Sequence, residues 1–351
     1  MTELGLSLGL SPRESMDRFV QLLQRAEQLG VDAAWIVDSQ LAMKDAYVTL
    51  AVLARETQTL KMGPGVTNLI TRHETVIANA MATLENLSPG RIMVGVGAGD
   101  SAVFPIGRKP LTIRECDEGV RRLKALLAGE ALPMGDGEKA LSFVPANRPP
   151  VFFAGSQPRM LRLAGAVADG VIIMGPADVE SVRMQLAQVD AGAIEAGRSP
   201  SDVQRDLWVT LSVGDGPKPV NDVKSWCSAQ ARWMTTWRDM PSSLEPYRSE
   251  MDRAAKEYDF STHLSLSAGH ADTVSDEFAK VLAVAGTTQE CQSRLAALAA
   301  TGVDRITVSL LSGGRERRLE EIAEVWQPLR ALVGGVCGDE SRGAGAPGRH
   351  R

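Results

Sequence analysis

Short apolar runs alternate along this chain with longer segments whose apolar residues recur every three or four positions, the periods of strand and helix. Residues 4–10 alternate apolar residues with Gly and Ser, and Ser11-Pro12-Arg13-Glu14 starts a helix that Gly30 ends. Residues 31–37 form a second strand, leaving Asp38, Ser39 and Gln40 at its carboxyl end, and 46–56 form the next helix. A third strand covers 60–66. The helix after it, 73–87, carries Val76, Ile77, Ala80, Met81 and Leu84 at helical spacing and stops at Ser88-Pro89-Gly90. Strand 91–96 leads through Gly97-Ala98-Gly99-Asp100 to a helix over 111–127, and 130–148 reads as a surface excursion. Strands at 150–154 and 170–174 run through Gly155-Ser156-Gln157-Pro158 and Gly175-Pro176-Ala177-Asp178 into helices. Residues 199–206 read as a loop and 207–213 as a seventh strand.

Regularity then breaks. Residues 214–286, with Trp226, Trp233 and Trp237, read as two or three inserted helices. A helix over 288–300, a strand over 304–310 and a helix over 315–332 complete the series; the Gly-, Ser- and Arg-rich tail from 334 is expected to be disordered. Eight strands, each followed by helix, predict a single α/β domain over 1–333, a (β/α)8 TIM barrel with a helical insertion before the last repeat. Strand exits form the active face of such a barrel, and the polar clusters fall on it.

Composition narrows the chemistry. With 44% hydrophobic and 23% charged residues in 351, the chain has material for one large core. A net charge of −5 with scattered basic residues speaks against a nucleic-acid surface. The densest basic run, Arg315, Arg317 and Arg318, reads as a solvated helix start. No window approaches the roughly 18 apolar residues of a membrane span, and Met1-Thr2-Glu3 lacks the basic flank of a signal peptide, so a cytoplasmic location without membrane contact is expected. Cys116, Cys227, Cys291 and Cys337 lie far apart, which predicts inert thiols and no metal site. There is no P-loop, HExxH or GxSxG, and no GxGxxG after the first strand. A cofactor-dependent reaction on a small molecule remains.

Several exits carry candidate groups. Gly63-Pro64-Gly65-Val66-Thr67-Asn68 places two glycines around a proline where a strand should continue, which fits a wall-bending bulge and a ligand cradle equally. Thr67 and Asn68 offer a hydroxyl and an amide to a heteroaromatic ring edge. In Thr71-Arg72-His73, a helix-start arginine gains nothing from the dipole and calls for an anionic partner, while His73 reads as structural. Asp38 and Asp100 each end a strand and should reach the barrel mouth, where they either handle protons as a pair or cap the following segment. Gly155-Ser156 and Gly175-Pro176-Ala177 precede helices whose free N–H groups suit an anion.

Taken together, GPGVTNLITRHETVIANAMATLENLSPGRIMVGVGAGDS, KPLTIREC, VFFAGSQPRMLRLAGAVADGVIIMG and VAGTTQECQSRLAALAATGVDRITVSLL resemble the luciferase-like monooxygenase superfamily. Within it the chain is similar to the branch that uses the deazaflavin coenzyme F420, typified by methylenetetrahydromethanopterin reductase, over residues 4–332. The resemblance implies a cis peptide at Gly65-Val66 beneath the deazaflavin, a ring edge against Thr67 and Asn68, and a phosphate-bearing tail near Gly155, Ser156, Gly175, Pro176 and Ala177. It places Asp38 and Asp100 at the catalytic mouth and leads to the expectation of a homodimer. Two departures concern the substrate: Ser7 stands where the methanopterin enzymes have Glu, and Ser39 where they often have His. The implied activity is hydride transfer between C5 of F420 and a small substrate, an imine or activated alkene. An FMN-dependent monooxygenase on the same barrel is the alternative, and a non-catalytic cofactor-binding or partner subunit a second one.

Overall fold

The computed structural model describes residues 1–237, 239–257 and 269–334. Strand β1 (Glu3–Leu8) leads to helix α1 (Met16–Gln28), β2 (Ala33–Ile36) to α2 (Ala46–Glu56), and the short strands β3 (Lys61–Pro64) and β4 (Thr67–Asn68) to α3 (Glu74–Leu87). After β5 (Val94–Gly97) and α4 (Ile113–Leu127), the surface excursion is an antiparallel hairpin, β6 (Leu132–Met134) with β7 (Gly137–Lys139). The series resumes with β8 (Val151–Gly155), α5 (Pro158–Val167), β9 (Gly170–Met174), α6 (Val179–Glu195) and β10 (Gln204–Val213). Helices α7 (Lys218–Met234), α8 (Arg248–Glu257) and α9 (Asp276–Leu282) lie in the insertion. A short β11 (Val284–Gly286), then α10 (Thr288–Ala299), β12 (Arg305–Ser309) and α11 (Arg315–Gly334) finish the described chain. The tail from 335, Cys337 with it, and residues 258–268 of the insertion lie outside the described residues.

Pairing runs β3-β2-β1-β12-β10-β9-β8-β5-β4, all parallel, with β11 added beside β10. β3 and β4 are two halves of one barrel strand, and a bridge between Met62 and Ile92 closes the ring at eight positions. This is the TIM barrel the alternation predicts. Local chemistry agrees with it: Ser15, Asp45, Thr112, Ser275 and Thr287 cap their helices, each cap worth about 1 kcal/mol.

Strand alternation sorts side chains into two cores. Outward-facing Leu4, Leu6, Val94, Phe153, Ile173, Leu207 and Val308 pack under the helices, while Ala33, Trp35, Met93, Phe152, Ile172 and Trp208 form a separate cluster inside the barrel. Register stacks the interior in layers. Glu3, Arg305 and Asp206 lie side by side at the base, Gly5, Thr307 and Trp208 in the middle, and Ser7, Ser309 and Thr210 at the top. Here the structure departs from the sequence reading of 199–206 as loop, because Gln204, Arg205 and Asp206 belong to β10. Their polarity is internal: Asp206 is 1% exposed and pairs with Arg305.

Candidate active site

Between β3 and β4 the chain turns through Gly65-Val66, whose peptide is cis, as the resemblance implies. The glycines around this bend have no room for a side chain. A Cβ on Gly63 would stand 2.1 Å from the Met93 carbonyl oxygen, on Gly65 2.4 Å from Trp35 Cβ, and on Gly95 2.5 Å from the Pro64 carbonyl oxygen. Past the bend, Asn68 Oδ1 accepts from the amides of Ile70 (3.1 Å) and Thr71 (2.9 Å), which shapes the exit loop. Its Nδ2 group donates no hydrogen bond among the described residues.

Thr67 points to Asp38. Its hydroxyl donates to Asp38 Oδ2 at 2.8 Å and accepts from the Tyr47 phenol at 3.0 Å. Burial holds the Tyr47 pKa above its usual value, so the phenol keeps its proton and donates. Arg72 stands 3.5 Å from Asp38 and 2.8 Å from Asp45, with its guanidinium 4.2 Å from the Tyr47 ring centroid. These carboxylates are the anionic partners its position calls for. Neighbouring His73 is the cap of α3, its Nδ1 accepting from the Thr75 amide, which matches a structural role. Tyr47 had no sequence signal, since it is one residue in the first turn of α2 and reaches the site only once α2 packs beside β3.

Asp100, beyond β5, forms an ion pair with Arg232 of α7, Nη2 lying 3.1 Å from Oδ2. Burial raises the Asp100 pKa, and the Arg232 charge and hydrogen bond oppose the rise. Asp38 and Asp100 thus answer to different arginines, and no hydrogen bond joins them. Arg232 also stacks near Trp233, whose carbonyl accepts from Gln157 Nε2 at 2.8 Å, so the Trp-bearing helix is tied to the fifth strand exit. Ser7 and Ser39 are both buried at the mouth, and neither hydroxyl is hydrogen-bonded among the described residues.

The two late loops differ. At Gly155-Ser156, α5 begins without a side-chain cap, because the Gln157 amide is engaged by α7 and Pro158 follows. At Gly175-Pro176-Ala177, the Ala177 amide donates to Leu282 O (3.1 Å), its carbonyl accepts from Arg294 (2.8 Å), and Asp178 caps α6. The open helix start is therefore the first. Cys116 and Cys291 are buried, their thiols pushed up to about 12 and about 11 by desolvation, and Cys227 is buried and pushed up likewise. Among the described residues no group of three or more His, Cys, Asp or Glu is placed to hold a metal ion, and no helix is long and apolar enough to cross a membrane.

A closed parallel barrel whose charged pairs, glycine bend and unspent donors gather at the strand exits has the architecture of a TIM-barrel enzyme. The model of the family described as luciferase-like monooxygenase matches residues 2–305. The chain belongs to that family. It is 30% identical over 330 residues to 5,10-methylenetetrahydromethanopterin reductase of Methanolobus tindarius, covering 89% of this chain and 96% of that one. It is also 30% identical over 259 residues to the F420-dependent hydroxymycolic acid dehydrogenase of Mycobacterium tuberculosis, with 68% of each chain covered. In fold it is similar to the coenzyme F420 dependent tetrahydromethanopterin reductase from Methanopyrus kandleri, with TM-score 0.74, 21% identity, and 93% and 99% of the two chains covered.

Proposed function

We propose that this chain is an F420-dependent oxidoreductase that transfers a hydride between C5 of the deazaflavin and a small organic substrate, reducing an imine or an activated alkene. One observation carries the reading. Asn68 Nδ2 beside the glycine bend and the uncapped start of α5 are donors the fold leaves unspent, and they suit a ring edge and an anionic tail. The residues present therefore fit the cofactor that similar proteins bear in their names. Gly65, Val66, Thr67 and Asn68 hold the ring, with the Thr67 hydroxyl directed to Asp38. Gly155 and Ser156 take the phosphate, with Gly175, Pro176 and Ala177 beside them.

Bound there, the deazaflavin supplies the hydride chemistry. The chain's own residues handle position and protons. Thr67 and Arg72 hold Asp38 in one orientation. Burial favours protonated Asp100, which suits it to deliver a proton to the substrate atom next to the reduced carbon. Ser7 and Ser39 present free hydroxyls to the substrate. We also infer a homodimer, supported by Leu41, Val48 and Val76, which stand 68%, 61% and 54% exposed around α2 and α3.

Anaerobic titration with reduced F420 and, separately, reduced FMN tests the reading, followed by turnover with imines and activated alkenes and by oxygen uptake. F420 binding with oxygen-independent reduction is expected. Tight FMN binding with oxygen-linked turnover would overturn it.

A further inference from the structure

The interior of the barrel holds a charged assembly that the reaction does not touch. Asp206 is buried at the base, where Oδ1 accepts from the Thr307 hydroxyl (2.7 Å) and Oδ2 from Arg305 (3.1 Å) and from the Trp35 indole N–H (2.8 Å). Arg305 continues to Glu3 (2.6 Å), and Glu3 to Lys61 at the foot of β3 (2.6 Å). Buried ion pairs of this kind add little net stability compared with an apolar core of the same shape. Their residues therefore invite a positional explanation.

Trp35 supplies it. The indole is fully buried, edge-on to Phe152 at 5.3 Å between centroids, and tilted against Trp208 at 6.3 Å. Above it lies the bend. A Cβ on Gly63 or on Gly95 would stand 3.1 Å from Trp35 Cζ3, and one on Gly65 2.4 Å from Trp35 Cβ. Three glycines thus close onto one side chain, and Asp206 fixes its rotation. The Trp208 indole N–H, by contrast, is buried without a hydrogen-bond partner among the described residues, so it has no comparable anchor.

We infer that Asp206 is a positioning residue: through the Trp35 indole it sets the height and tilt of the Gly63–Val66 backbone on which the planar ring rests. The inference rests on the F420 reading above and adds a buried control of the cofactor bed from the opposite end of the barrel. Glu3 grips Lys61 at the start of the same strand, so one network holds both the foot of β3 and, through Trp35, the bend at its exit.

The test measures the F420 dissociation constant, and the absorption band of the bound deazaflavin, for Asp206→Asn and Trp35→Phe. Phe19→Leu, a cavity in the outer core under α1, is the control for stability loss alone. Asp206→Asn keeps side-chain shape but weakens the indole anchor. We expect about tenfold weaker binding and a shifted band, with Trp35→Phe behaving alike if Asp206→Asn does not fold, and no change in Phe19→Leu. Wild-type binding matched by both interior variants would overturn the positioning claim alone. A wild-type chain that binds no F420 would overturn the cofactor reading and this claim with it.

Discussion

Burial raises the Asp100 pKa while the Arg232 charge and hydrogen bond pull it down, and that opposition has a sign. Where catalysis needs protonated Asp100, kcat falls as pH rises through its pKa. Arg232→Met removes the opposing charge and raises that pKa further, so the basic limb of the kcat profile moves to higher pH; a limb that stays in place would remove Asp100 from proton delivery. Asp38→Asn should lower kcat by about 10²–10⁴ with F420 affinity unchanged, read by stopped-flow reduction alongside equilibrium titration. A loss confined to affinity would make Asp38 a cofactor contact. Both carboxylates were legible in the sequence because each follows an apolar strand, and a strand end points to a barrel mouth. Two of the groups around them were not. Arg232 comes from the insertion and Tyr47 from the first turn of α2, and neither spacing nor composition brings them to Asp100 or Thr67.

At the scale of elements, the glycine bend and the helix starts show what a local pattern holds. Gly63-Pro64-Gly65 announced a break in β3, but the reason for the first glycine is the Met93 carbonyl on the neighbouring strand, a contact made through pairing. Gly63→Ala should therefore destabilise the fold by about 1–3 kcal/mol in urea denaturation, the usual cost of overpacking. Gly107→Ala gives the contrast. It has no neighbour within 4 Å but a φ of +72°, so its cost of about 1 kcal/mol comes from backbone conformation alone. Equal steric relaxation at both sites, seen as no difference in unfolding midpoint, would discard this account. The turns before α5 and α6 looked equivalent in sequence. Leu282 and Arg294, more than a hundred positions away from Ala177, distinguish them by taking up its backbone groups.

Across the whole molecule, the alternation of strand and helix sufficed for the barrel, because eight apolar strands need helices over their outer faces. The interior did not show through: polar Gln204-Arg205-Asp206 reads as loop until Arg305 and Trp35 meet it. Closure itself depends on the seam where β1 pairs with β12, the first strand of the described chain with its last. Helix α11 covers that seam together with α1 and the turn just before α1, and charges of two kinds are exchanged across it. Arg315 meets Glu14 at 2.7 Å with both side chains largely buried, 12% and 15% exposed, whereas Arg25 and Glu320 pair at 2.7 Å with about half of each in solvent. Solvent and salt screen the second pair, and holding two long side chains costs entropy, so Arg25→Met should leave the urea midpoint unchanged. Arg315→Met strands the Glu14 carboxylate in a drier place, at a cost of about 2 kcal/mol. Raising salt should shrink any effect of Arg25 while sparing that of Arg315, because screening reaches exposed charges first. Two equal shifts in the midpoint, or a salt dependence at Arg315 as steep as at Arg25, would mean that burial at this seam does not govern how the barrel is held closed.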